Sequence, residues 1–260
     1  MMFSAIDPRF VVSGFLVGLL VGQTGMGGGS LMTPLLVLLF GVNPATAVGT
    51  DLLYAAATKS VGTLVHGLNH TVDWRVVRHL ATGSTPATLL TLLVMSRTDM
   101  GHRQPDLIAS LLGTMLLLTA ASLVFRRRFL AVVEPWVDGM SKGRVDTLTV
   151  IIGAALGVLV TISSVGAGAL GVTALLLLYP RTPMAVIVGS DIAHAVPLTL
   201  IAGVGHWFLG SVNLPLLVSL LCGSIPGIVL GSHAASKVPE RVLRPLLAAV
   251  LVVIGARLVF

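Results

Sequence analysis

A chain of 260 residues that is 55% hydrophobic and only 10% charged, with a mean hydropathy of +0.99, has too little charge to cover a soluble domain of this size. Its formal charge of +6 does not point to nucleic acid, because the cations sit in short links between apolar segments with no basic stripe interleaved with aromatics. A single cysteine, Cys222, excludes an internal disulfide and a cysteine-built zinc site.

Met1 to Phe10 carries no basic n-region, so no cleaved signal peptide is expected. The first apolar stretch, 10–41, is interrupted by Gln23-Thr24-Gly25-Met26-Gly27-Gly28-Gly29-Ser30. Its arms, 10–22 and 29–41, are about 13 residues each, or about 20 Å of helix against a hydrocarbon core of about 30 Å. That predicts a re-entrant pair of short helices meeting inside the membrane, or else a tilted pair of crossings. Three ordinary spans follow near 46–67, 76–96 and 106–125. The polar link at 126–146 is too short for a domain and reads as cytoplasmic. A second interrupted stretch, 147–179, breaks at Ser163-Ser164-Val165-Gly166-Ala167-Gly168, and spans follow near 184–209, 213–232 and 242–260. Trp74, Trp136 and Trp207 lie near links, as interface anchors do. Pro183, Pro197 and Pro226 lie in or beside spans, where they kink helices for packing or for motion. Cys222, beside Gly223, reads as buried small-residue packing.

The two stretches belong to an internal repeat. Gly27, Gly29, Leu31 and Pro44 match Gly166, Gly168, Leu170 and Pro183 at an offset of 139. Gly49-Thr50-Asp51, His66, Val72, Asp73, Gly83-Ser84 and Pro86 match Gly189-Ser190-Asp191, His206, Val212, Asn213, Gly223-Ser224 and Pro226 at 140. The repeats are 10–125 and 147–260. If each interrupted stretch returns to its starting side, 11 of the 16 Lys and Arg residues fall on one side, 4 on the other, and Lys59 within a span. The positive-inside rule favours that arrangement, with the N-terminus outside. An odd number of crossings per repeat makes the two repeats inverted. The expected fold is therefore an all-α polytopic membrane protein of two inverted-topology repeats, each a glycine-broken helix pair plus three transmembrane helices.

Irregular backbone at membrane depth survives only where protein or a wet cavity surrounds it. Each glycine break also starts a helix arm, which brings free N–H groups and a positive dipole end. The candidate anion-binding set is Thr24, Gly27, Gly28, Gly29, Ser30, Ser163, Ser164, Gly166 and Gly168, with Lys59 adding positive charge. Close helix packing through small residues is the structural alternative. Asp51, Asp191 and His194 are ionisable residues placed within spans at a cost of several kcal/mol, roughly, which suits ion coupling by protons. For the aspartates, capping of a helix start is the alternative. His66 and His206, near span ends, are expected to hydrogen-bond at the interface. A membrane-embedded enzyme using Asp51 and Asp191 as a carboxylate pair is weakened by their equivalence in the repeat, since catalysis calls for unlike roles. An anion channel is a further alternative.

At Gly25-Met26-Gly27-Gly28-Gly29, Ala47-Val48-Gly49-Thr50-Asp51 and Thr71-Val72-Asp73-Trp74 the sequence resembles the TauE/SafE family of sulfite exporter-like membrane permeases. Val188-Gly189-Ser190-Asp191-Ile192-Ala193-His194, Pro197-Leu198 and Gly223-Ser224-Ile225-Pro226-Gly227 extend the resemblance over nearly the whole chain. It implies a multi-pass plasma-membrane protein that exports sulfite, a sulfonate or a related organosulfur anion, driven by an ion gradient and without a cofactor or bound metal. The second glycine cluster has Ala167 where a fuller glycine run is common, and Asn213 stands where aspartate is common.

Overall fold

The structure, a computed structural model, describes residues 6–24, 29–98, 105–234 and 240–259; the side chains of 21–24 and 29–30 are among those outside that description. Among the described residues the chain forms ten helices and no strand. Five precede Gly139: α1 (Pro8–Thr24), α2 (Gly29–Phe40), α3 (Pro44–Leu68), α4 (Trp74–Thr98) and α5 (Pro105–Asp138). Five follow it: α6 (Lys142–Ser163), α7 (Ala169–Leu178), α8 (Met184–Phe208), α9 (Leu214–Ala234) and α10 (Glu240–Val259).

Among the described residues, Asp106–Arg126, Lys142–Ser163 and Met184–Phe208 are long and apolar enough to cross a membrane. Shorter apolar helices include Pro8–Leu20, Leu31–Phe40, Ala169–Leu178, Leu214–Leu230 and Leu247–Val259. The helices turn leucine and valine outward: Leu39, Leu64, Leu90 and Val253 are all more than 60% exposed. An apolar outer surface of this kind is what acyl chains solvate.

Two boundaries differ from the sequence expectation. The helix expected to end near 125 continues to Asp138, through the segment read as a link. Arg126, Arg127 and Arg128 end the hydropathy, not the helix: Leu130 packs against the main core cluster and Val137 is buried, so an apolar face persists at helical spacing. Likewise α6 begins at Lys142 and has 22 residues, about 33 Å, while α7 has only 10, about 15 Å. The second break therefore joins one helix of spanning length to one of half that length. Of the two helices of 142–178, only α7 has the short length expected of a re-entrant arm.

The tightest crossings rest on absent Cβ atoms. Helix α1 packs along α9, and α4 along α6, more extensively than any other pair. A Cβ on Gly14 would strike the Leu220 carbonyl, and one on Gly223 the Val11 carbonyl. The α4–α6 crossing repeats both contacts, with Gly153 on the Leu80 carbonyl and Gly83 on the Val150 carbonyl. Every residue of this second set stands 139 or 140 positions from its counterpart in the first. The other two extensive pairs, α3 with α8 and α5 with α10, join elements that correspond to each other under the same offset.

Candidate functional site

The matched Gly-Thr/Ser-Asp segments position the centre of the molecule. A Cβ on Gly49 would meet the Ser211 carbonyl, and one on Gly189 the Thr71 carbonyl, so glycine lets α3 and α8 approach the loops before α9 and α4. The next residue supplies a hydroxyl to those loops. Thr50 Oγ1 accepts the Asn213 N–H at 3.1 Å, and Ser190 Oγ accepts the Asp73 N–H at 2.8 Å. Asp73 and Asn213 in turn cap the helices that follow, their Oδ1 atoms accepting the N–H groups of Arg75 and Leu216 at 2.9 and 3.0 Å. Asparagine serves this role as well as aspartate does, which accounts for Asn213. With glycine and hydroxyl facing the loops, the third residue of each segment is left pointing inward.

Asp51 lies two turns inside α3 and is 0% exposed. It is not a helix cap. Thr33 Oγ1 of α2 and Ser164 Oγ both donate to its Oδ2, the latter at 2.9 Å, and its Oδ1 has no partner among the described residues. Lys59, two turns further along α3 and 5% exposed, donates from Nζ to the Ala167 carbonyl. It forms no ion pair with a described carboxylate, although Asp51 and Asp191 both lie within its electrostatic reach. A buried lysine amine resting on a neutral carbonyl is, when protonated, positive charge available to an incoming anion.

The break that Lys59 touches is strained backbone. Ser164 has φ 57°, and Gly166 and Gly168 have φ 114° and 143°, values that favour glycine. Gly171 N–H reaches the Gly166 carbonyl at 3.1 Å and Val172 N–H the Gly168 carbonyl at 2.8 Å. The N–H groups of Ala167, Gly168, Ala169 and Leu170 find no acceptor among the described residues. These are the uncapped donors of the α7 N-terminus. The hydroxyls of Ser163 and Ser164, expected as donors at the break, both donate to protein acceptors. Ser163 Oγ donates to the Leu159 carbonyl at 2.7 Å and accepts the Val165 N–H at 3.2 Å, while Ser164 serves Asp51.

On the opposing helix α8, Asp191 is 1% exposed and its Oδ2 lacks a described partner, while its Oδ1 abuts the Cα of Gly171. His194, one turn on, shares a 2.9 Å hydrogen bond between Nε2 and Ser84 Oγ of α4. Asp51 and Asp191 share no hydrogen bond with each other, unlike a proton-sharing carboxylate dyad. His206 is buried, not interfacial: its Nε2 bonds the Thr161 carbonyl at 2.9 Å. His66 is only partly buried and pairs with Thr71 Oγ1 at 2.8 Å. Cys222 is exposed on α9, correcting the expectation of buried packing, while its neighbour Gly223 makes the close contact. Trp74, Trp136 and Trp207 are exposed, as anchors require.

Of the sequence candidates, Asp51, Lys59, Ser164, Gly166 and Gly168 converge on one junction between α3 and the second break, and Asp191 with His194 lies across from it. Gly27 and Gly28 lie outside the described residues. Thr24 and Gly29 end α1 and begin α2, followed by Ser30, but the side chains of Thr24 and Ser30 are not described. Thr33 and Ser84 were not singled out as site residues, and both touch the ionisable centre. A separate hollow of about 380 Å³ opens where α4 and α6 begin and α5 and α7 end, lined by Arg75, Lys142, Arg181, Asp146 and Tyr179 among others.

A family model described as sulfite exporter TauE/SafE matches residues 10–258. The chain is 37% identical over 257 residues to the probable membrane transporter protein YjnA of Bacillus subtilis (strain 168), covering 98% of this chain and 100% of that protein. It is 29% identical over 253 residues to the probable membrane transporter protein YdhB of the same strain, covering 95% and 97%. No solved structure matches the chain.

Proposed function

The chain belongs to the sulfite exporter TauE/SafE family and is a membrane transporter, and from that premise we propose that it exports a small sulfur-containing anion across the plasma membrane. Sulfite, sulfonates and related organosulfur compounds form the substrate class. The two sets of five helices act as inverted repeats that alternate access to one shared site. The observation that carries this reading is the junction of the buried Lys59 ammonium with a helix start whose N–H groups find no acceptor among the described residues. An oxyanion reaching it gains an ammonium, backbone donors and a dipole end at once. By the repeat relation, Thr24, Gly27, Gly28, Gly29 and Ser30 supply the facing set of donors. Asp51, Asp191 and His194 carry the coupling proton, since each is a buried group next to the anion's path. The hollow beside Arg75 and Lys142 is the cytoplasmic approach, on the side where most cations gather.

Purified protein in liposomes is expected to move radiolabelled sulfite, faster when a pH gradient is imposed. Protein-free liposomes set the baseline, and rates equal to it would refute the reading. Steady single-channel currents indifferent to the gradient would make the protein a channel instead. A narrower prediction concerns Gly171. A methyl group there would collide with Asp191 Oδ1. Gly171→Ala is expected to slow initial uptake about tenfold or more by displacing that carboxylate, while the purified protein stays monodisperse. Unchanged uptake would remove Asp191 from the transport path.

A further inference from the structure

Two openings flank the start of α6. One is the hollow of about 380 Å³ that Lys142 lines together with Arg75 and Arg181. The other is a groove of about 440 Å³ lined by Met140, Ser141, Gly143, Arg144, Thr147 and Leu148. Met140 lines both, so the two meet at the turn before α6. Trp74 stands between Asp73 and Arg75 of the hollow, Trp136 adjoins Val137, and both tryptophans are exposed. Exposed tryptophans beside arginine and lysine mark headgroup depth, so the hollow opens at the boundary of membrane and water.

The lining restricts what enters. Asp146 already holds Arg75 at 2.7 Å, and Asp73 Oδ1 accepts the N–H groups of Arg75 and Val76. Lys142 in the hollow and Arg144 in the groove make no ion pair with a described residue. Both are exposed, and exposed cations hold a dissolved anion only weakly. An anion tethered to a lipid is already concentrated at their depth and gains about fivefold in affinity from each. The rest of the lining suits such a tether. Val76, Val137 and Leu178 bring buried apolar side chains to the hollow. Gly143 has open space where a Cβ would stand. Thr147 Oγ1 donates to the Gly143 carbonyl at 2.9 Å, so its hydroxyl hydrogen is already used within the helix. Ile151, one turn beyond Thr147, is 57% exposed and continues that face of α6 as an apolar surface.

We propose that the start of α6 seats one anionic glycerophospholipid, its phosphate between Lys142 and Arg144 and an acyl chain laid along Gly143, Thr147 and Ile151. The inference goes beyond the transport reading and does not rest on it.

For the test, purified protein in a neutral detergent is mixed with equal amounts of phosphatidylglycerol and phosphatidylcholine, washed on a column, and its retained lipid counted by mass spectrometry. The wild type is expected to keep about one phosphatidylglycerol per chain, at least about tenfold over phosphatidylcholine. Lys142→Gln with Arg144→Gln is expected to cut that retention about tenfold or more, whereas Arg97→Gln with Arg257→Gln, an equal loss of charge at other helix ends, leaves it within about twofold. Gly143→Trp fills the groove, changes no charge, and is expected to cut retention about fivefold. All five positions are exposed, and melting curves check that each variant folds. Equal retention of the two lipids by the wild type would overturn the proposal. Equal losses in the two double variants would do so too, by reducing the effect to general attraction of charge, as would unchanged retention in Gly143→Trp. Excess inorganic phosphate is expected to leave the lipid in place. Displacement by phosphate, but not by chloride at the same ionic strength, would make this a site for a dissolved anion and refute the lipid.

Discussion

Replacing Lys59 with methionine is expected to lower the initial rate of sulfite uptake by about 100-fold or more while leaving the protein folded. The folding half of this expectation follows from what Lys59 touches. Its ammonium is buried and its described partner is one backbone carbonyl, that of Ala167. Methionine keeps most of the side-chain volume and removes a desolvated charge, a change that is often neutral or stabilising. The carbonyl loses a donor at a cost of about 1 kcal/mol. The transport half follows from charge. With Lys59 gone, the interior retains Asp51 and Asp191 and no described cation within the spans near them, so an incoming anion meets only the backbone donors of the break. Lys59→Arg keeps the charge but forces a wider, planar group into the same space, and recovers only part of the rate. Uptake by the methionine variant within about twofold of wild type, at equal protein per liposome, would show that anions are not carried past Lys59.

Lys59, Asp51, Asp191 and His194 were legible in the sequence because a charge inside an apolar span is costly and stands out against its surroundings. The repeat was legible for a similar reason: residues that must approach a neighbouring backbone, such as Gly83 and Gly223, leave no alternative side chain. Thr33 was not legible. It is an ordinary hydroxyl in the apolar arm of α2, its counterpart at 172 is valine, and its bond to Asp51 depends on how α2 folds back on α3. The engagement of Ser163 and Ser164 was hidden likewise, since a serine near a break offers a hydroxyl to backbone or ligand alike until the turn is known. The exposure of Cys222 eluded reading because α9 is apolar all round and no stripe separates its lipid face from its packed face. Helix α5 outran its expected end because hydropathy measures fitness for lipid, while Leu130 and Val137 bury against protein beyond it.

Gly83→Val and Gly223→Val are each expected to destabilise the protein by about 3 kcal/mol or more, or to abolish recovery of monodisperse protein. Gly67→Ala, with nothing within 4 Å of its added carbon, is expected to be harmless or slightly stabilising. The difference lies in what would have to move. At Gly83 the added carbon meets the Val150 carbonyl and, at 2.7 Å, the Ala154 nitrogen, and at Gly223 it meets the Val11 carbonyl and, at 2.8 Å, the Phe15 nitrogen. Backbone atoms inside a helix cannot swing aside as a side-chain tip can, so the helices must separate. In lipid no hydrophobic force holds them together, and a gap of about 0.5–1 Å already forfeits a quarter to a half of the dispersion energy of the contact. The two sites lie in different crossings without shared partners, so a double variant should lose close to the sum of the single losses, read from detergent melting curves. Separation of α4 from α6 would also reach the ionisable centre, because α4 carries Ser84 against His194 and α6 ends at the break that Lys59 holds. A partly folded Gly83→Val protein should therefore lose transport before it loses helix, and a variant with normal melting and normal uptake would contradict the packing on which both the crossing and the site depend.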